Sequence, residues 1–155
     1  MKNLFLILFI ATAVPVCAQT DRAAAILGLV DAKSYDFHAT TSMSMDGFVR
    51  NLTSDYRVKM MPDSIVGNLP FFGRAEASTM DGDGINFKTK DFSYDSRPTK
   101  KGGWEITIRP RDDGKKSVSK LSLTIQSNGL TTIRIMAPNK DPISYDGEIT
   151  SPGAQ

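Results

Sequence analysis

Apolar and polar side chains alternate from residue 35 onward. Between 35 and 45 the odd positions are Tyr35, Phe37, Ala39, Thr41, Met43 and Met45; the even ones are Asp36, His38, Thr40, Ser42 and Ser44. A period of two predicts a strand with one buried and one wet face. The alternation resumes from 52 to 60, with Leu52, Tyr56, Val58 and Met60 inward and Thr53, Asp55, Arg57 and Lys59 outward. The inward set has moved from odd to even numbers. Facing residues must then sum to an odd number, so the joining loop must be even in length. Asp46-Gly47 and Gly47-Phe48 both qualify as two-residue turns.

A second hairpin has a tighter reading. Leu121, Leu123 and Ile125 alternate, as do Thr131, Ile133 and Ile135, around Ser127-Asn128-Gly129. A two-residue Asn-Gly turn would set Leu123 against Arg134, apolar against polar. A three-residue loop pairs Leu121 with Ile135, Leu123 with Ile133 and Ile125 with Thr131. Burial of one face selects the second register, with Gly129 left-handed in a bulge after a type I turn.

Further strands are expected at Pro62 to Val66, Ile85 to Thr89, Phe92 to Tyr94, Trp104 to Ile108 and Ile143 to Ile149. One segment has a different period. Ala23, Ile26, Leu27 and Val30 share one helical stripe, from a cap at Thr20 or Asp21 to an end near Ala32 or Lys33. The expected fold is mainly β: seven or eight strands in a single antiparallel curved sheet, closing toward a sandwich or partial barrel. The helix would cover an open end or face.

The first residues bear on destination. Lys2 precedes an apolar run from Leu4 to Val16, far short of the roughly 20 residues of a membrane span. This reads as a signal peptide, residues 1–18. Val16 and Ala18 suit a cut between Ala18 and Gln19, which would release an exported, periplasmic domain, 19–150, with a frayed tail, 151–155. The alternative is a lipid anchor on Cys17, for which Val16 is a poor preceding residue. Cys17 is the sole cysteine, so cleavage after Ala18 leaves no disulfide, thiol nucleophile or thiolate site. Acidic and basic residues nearly balance without Lys2, and no basic stripe suggests nucleic acid.

Familiar catalytic patterns are missing from the chain. His38 is the sole histidine and lies on a polar strand face. No Gly-x-Ser-x-Gly elbow, His-Glu-x-x-His pair or phosphate-binding glycine loop occurs. Asp46, Asp81, Asp83, Asp113 and Asp146 each precede glycine, where turn formation explains them. Asp81-Gly82-Asp83-Gly84 resembles part of a calcium loop, but Ile85 and Phe92 stand where further oxygen ligands are needed. Neither metal nor cofactor is expected. Asn51-Leu52-Thr53 fits an N-glycan acceptor, and Asp63-Ser64-Ile65 an O-glycan acceptor of some bacterial periplasms.

The least ordinary stretch is Leu69-Pro70-Phe71-Phe72-Gly73-Arg74. Pro70 holds Leu69 extended, and Gly73 permits a turn or close approach. Adjacent rings in extended chain point to opposite sides. One of Phe71 and Phe72 can enter the core, and the other must meet a second surface. The stretch is either a kinked edge strand or, with Arg74, the lining of a cleft.

This string, with "SYDFHATTSM" (34–43), "SDYRVKMMPDSIVGNLPFFGRAEA" (54–77), "KKGGWEITI" (100–108) and "PISYDGEI" (142–149), resembles the DUF4251 family of exported bacterial proteins. The resemblance implies a small mainly-β domain and supplies no activity or catalytic residue. The expectation is a non-catalytic envelope protein that binds an apolar small molecule or another envelope protein. Phe71, Phe72 and Arg74 are the binding candidates, and Met43, Met45 and Met60 a soft inward lining. The competing reading is a small hydrolase of envelope or glycan substrates with paired carboxylates.

Overall fold

The turn Ser127-Asn128-Gly129 fixes one half of the sheet. In the computed structural model, which describes residues 17–74, 84–111 and 118–154, Gly129 is left-handed at φ +88. Gly129 N–H donates to Gln126 O at 2.9 Å, and Gln126 N–H to Leu130 O at 2.8 Å. The hairpin pairs Leu121 with Ile135, Leu123 with Ile133 and Ile125 with Thr131, as burial required.

The element order is α1 (Cys17–Asp31), β1 (Tyr35–Met43), β2 (Val49–Met61), β3 (Ser64–Pro70), β4 (Gly84–Thr89), β5 (Phe92–Pro98), β6 (Trp104–Pro110), β7 (Lys120–Ile125), β8 (Leu130–Ala137) and β9 (Lys140–Thr150). The strands form one antiparallel sheet in the order β4-β3-β2-β1-β9-β8-β7-β6-β5. Alternating direction from β1 both ways round makes β4 and β5 run the same way. Only Lys90 and Asp91 separate them, so they are two halves of one kinked strand. The apolar alternation slips phase there, from Ile85 and Phe87 to Phe92 and Tyr94, and that slip is the kink. The first half pairs with β3 and the second with β6. Nine segments thus trace eight strand paths, and the sheet is nearly closed into a barrel.

Eight paths leave an interior just wide enough for side chains to fill. Tyr35, Phe37, Met60, Ile65, Leu69, Ile108, Leu121, Ile133 and Tyr145 fill it, each fully buried. At Gly67 the ring of Phe87 lies where a Cβ would stand.

The first hairpin departs from the expected register. Tyr35 faces Met60 and Phe37 faces Val58, but Thr41 faces Asn51. On the other side Ala39 faces Gly147 while Thr41 faces Asp146. Thr40 is therefore a bulge on β1, its hydroxyl donating to Asp146 O at 3.0 Å. A bulge adds one residue and reverses every later side chain. Ser42 becomes buried, while Met43 and Met45 turn outward, 42% and 67% exposed. Of the three methionines expected inside, only Met60 is there. The loop is odd, not even: Met45-Asp46-Gly47 closed by Ser44 N–H on Phe48 O at 3.1 Å. The parity change falls within the strands instead of the turn.

Helix α1 covers the end where β1 begins, β9 ends and the Gly129 turn lies. It starts at Cys17, earlier than Thr20 or Asp21. Ile26 and Val30 are buried and Leu29 half-buried, whereas Leu27, expected in the stripe, is exposed. The helix meets a barrel end, a narrower target than a sheet face, so its buried stripe is narrow. Lys33, left-handed at φ 49, closes it. Ser34 N–H donates to Leu29 O and Lys33 N–H to Val30 O, both at 3.1 Å, the pairing of a Schellman cap. The Lys33 ammonium lies 5.0 Å from the Tyr94 ring centre. Tyr94 in turn shares a 3.4 Å hydrogen bond with Tyr35. Residues 151–154, the described part of the expected frayed tail, turn back on β1, where Gly153 N–H donates to Asp36 Oδ2 at 3.3 Å.

Two glycine substitutions should move stability in opposite directions. A Cβ on Gly147 would stand 1.8 Å from His38 O, whereas one on Gly28 meets nothing within 4 Å. Gly147→Ala should cost about 2–3 kcal/mol, since backbone must shift. Gly28→Ala should add about 1 kcal/mol through helix propensity. Urea unfolding midpoints check both.

Candidate interaction surface

At the end away from α1, β3 stops at Pro70, and the chain crosses the mouth toward the β8–β9 turn. Three contacts hold the crossing. The buried Tyr145 hydroxyl donates to Pro70 O at 2.6 Å. Lys140 Nζ donates to Gly84 O at 2.8 Å and sits 5.1 Å from the Phe71 ring centre. Asp141 N–H donates to Arg74 O at 3.1 Å. A Cβ on Gly73 would be 2.7 Å from the Phe71 ring, so glycine lets the chain fold back over that ring.

The two rings part as extended geometry demanded. Phe71 packs on the core. Phe72 faces outward, with the Arg50 guanidinium 4.9 Å from its centre. Arg74 is exposed, and the cation over the Phe72 ring is Arg50, from β2. The stretch is the end of β3, a strand paired on both sides, and not an edge strand.

Beside Phe72 stands the β1–β2 tip. Phe48 is 73% exposed, Met45 67% and Val49 62%. With Met43 and Phe72 they gather most of the large exposed apolar side chains among the described residues at one end. The sequence signal for Phe48 and Val49 was present, as adjacent apolar residues beside a turn. The signal for Met43 and Met45 was misleading, because the Thr40 bulge is not written locally.

A second cluster lies on the outer barrel face. An open groove of about 340 Å³ is lined by Asp55, Arg57, Lys59, Val66 and Asn68. Arg57 Nε donates to Asp55, and His38 Nδ1 lies 3.7 Å from the same carboxylate oxygen. Asp55 stands two residues before Arg57, which faces His38 across β1 and β2, and so supplies the partner that the sequence reading of His38 lacked. The Arg57 hydrogen bond holds the Asp55 carboxyl below its usual range, which suits an ion-pair partner and not an acid catalyst. His38 Nε2 is buried without a partner. Nδ1, on the side of the exposed Asp55, is the one ring nitrogen left for other contacts.

Other described carboxylates have separate occupations. Glu148 pairs with Arg22 at 3.6 Å, and Asp95 with Arg109 at 3.7 Å. Asp146 accepts from Thr132 at 2.6 Å. Among the described residues no group of three His, Cys, Asp or Glu could hold a metal. Asp81 to Asp83 of the calcium-like string, Glu76 and the basic pair Lys115-Lys116 lie outside the described residues. Ser64 is buried, its hydroxyl donating to Asp63 Oδ1 at 3.0 Å, a poor presentation for a glycan acceptor.

A family model described as a domain of unknown function, DUF4251, matches residues 18–149. The chain belongs to the DUF4251 family. A solved DUF4251 protein from Bacteroides eggerthii is similar in fold, with a TM-score of 0.61 at 17% identity over 86% of this chain and 88% of that one. No curated protein matches. The family relation thus supports the fold of this DUF4251 protein and assigns it no activity.

Burial pushes the Tyr145 phenol well above its usual range. Tyr35, by burial first and then by Tyr94, and Tyr94, by burial, are also raised. A raised phenol favours the folded state fully below the unfolded value of about 10. That contribution is lost as pH climbs through the folded values. Urea midpoints should therefore fall above about pH 10. Tyr145→Phe should cost about 1–2 kcal/mol at neutral pH and make the alkaline fall shallower.

Proposed function

We propose that this DUF4251 protein is an exported, non-catalytic interaction domain that works through the rim at its loop end. The observation that carries this reading is the contrast between a filled interior and a concentration of exposed apolar side chains at that rim. Side chains occupy the barrel where a lipocalin-like ligand would sit, and two of the three methionines expected to line such a site face outward. Binding inside therefore has little support, and binding on the outer rim has more. The dispersed ion pairs of Glu148 and Asp95, and the inaccessible nitrogen of His38, weigh against the hydrolase reading. The leader argues for export. Cleavage after Ala18 would remove only Cys17 and Ala18 from α1.

Intact mass spectrometry of the protein purified from its native envelope checks this. The expected species begins at Gln19, carries no glycan on Ser64 and holds no stoichiometric small molecule. A tightly retained ligand would overturn the rim reading, and a diacylglyceryl Cys17 would overturn the cleavage.

A further inference from the structure

We propose that the β1–β2 tip, with Phe72, docks on an anionic lipid surface; the inference rests on the rim being the interaction surface. The shape of the tip is the first reason. Met43, Met45, Phe48 and Val49 project from a three-residue turn and its flanks. They are exposed at the tip of a β-hairpin. A folded partner would have to supply a matching pocket, whereas a fluid lipid interface accommodates any small convex apolar shape.

The backbone of the turn is the second reason. Gly47 N–H donates to Ser44 O at 3.0 Å, and Ser44 N–H to Phe48 O at 3.1 Å. Gly47, at φ +83, makes this closure without strain. The turn thus pairs two of its own N–H groups, which lowers what their leaving water costs.

Charge selects the lipid. Arg50 lies against Phe72, and Arg74 is exposed two residues beyond it. Neither pairs with an acid among the described residues. Within 43–50 and 71–74 Asp46 is the one carboxylate, and beside Arg74 the charges of Lys140 and Asp141 offset each other, so the two guanidiniums outweigh it. Arginines flanking exposed Phe, Met and Val are the composition of an interfacial anchor that meets lipid phosphates.

Hydrogen exchange of the natively processed protein tests this, with vesicles of phosphatidylglycerol mixed into phosphatidylcholine. Residues 43–50 and 71–74 should gain protection, and the Gly129 turn at the opposite end should not. Added salt should weaken binding. The double variant Met45→Ser, Phe48→Ser should lose about tenfold or more in vesicle affinity with an unchanged melting temperature. The double variant Arg50→Gln, Arg74→Gln should lose the preference over pure phosphatidylcholine. Wild-type affinity in the serine variant, or an unprotected tip, would overturn the proposal. So would tip protection that grows with protein concentration alone, which would indicate a second copy. A photo-crosslinking phenylalanine analogue at position 48, used in the native envelope, separates the two levels. A lipid adduct supports the inference. A protein adduct overturns it and leaves the rim reading standing. No adduct, together with no vesicle binding, overturns both.

Discussion

Closure of the sheet around a filled interior is the constraint on which the rest of this molecule depends. Each strand hides alternate side chains, and eight strand paths bring those side chains into one shared volume. Fully buried residues such as Phe37, Leu121, Ile133 and Tyr145 come from widely separated parts of the chain. Closure also answers the edge problem. The kinked strand formed by β4 and β5 serves both sides, so no full-length edge is left to template pairing with another chain.

A filled barrel moves function to the outside. With the volume taken by the molecule's own side chains, what distinguishes one region of the surface from another is its apolar content and charge. The two ends differ in this respect. One is sealed by α1 through Ile26 and Val30. The other is crossed by Pro70 to Arg74 and flanked by the Met45–Phe48 tip. Tyr145 links the two levels: it fills the core and also anchors the crossing through Pro70. The outward ring of Phe72 is a consequence of fixing Phe71 on the core.

Thr40 shows how one inserted residue relocates chemistry. Without the bulge, Met43 would continue the inward series of Tyr35, Phe37 and Ala39. With it, Ser42 is buried and the methionines join the surface. The outer-face cluster stands apart from the bulge: His38 faces Arg57 in the regular part of the pairing, and Asp55 is two residues before Arg57 on the same strand.

Periodicity by itself determined the class of fold, the register of the β7–β8 hairpin and the separation of the two phenylalanine rings. These follow from the period of a strand and from the conformations open to Pro and Gly, which are local properties. Motif resemblance reached the family for the same reason, since a string such as Leu69 to Arg74 is written contiguously. Closure, the Thr40 bulge, the narrow face of α1 and the meeting of His38 with Asp55 belong to the tertiary structure. Each depends on what a distant segment places opposite a residue, and a bulge is favoured by the fit of both neighbouring strands at once. Local alternation carries no term for that fit, so it assigned the right faces up to Ala39 and the wrong ones immediately after.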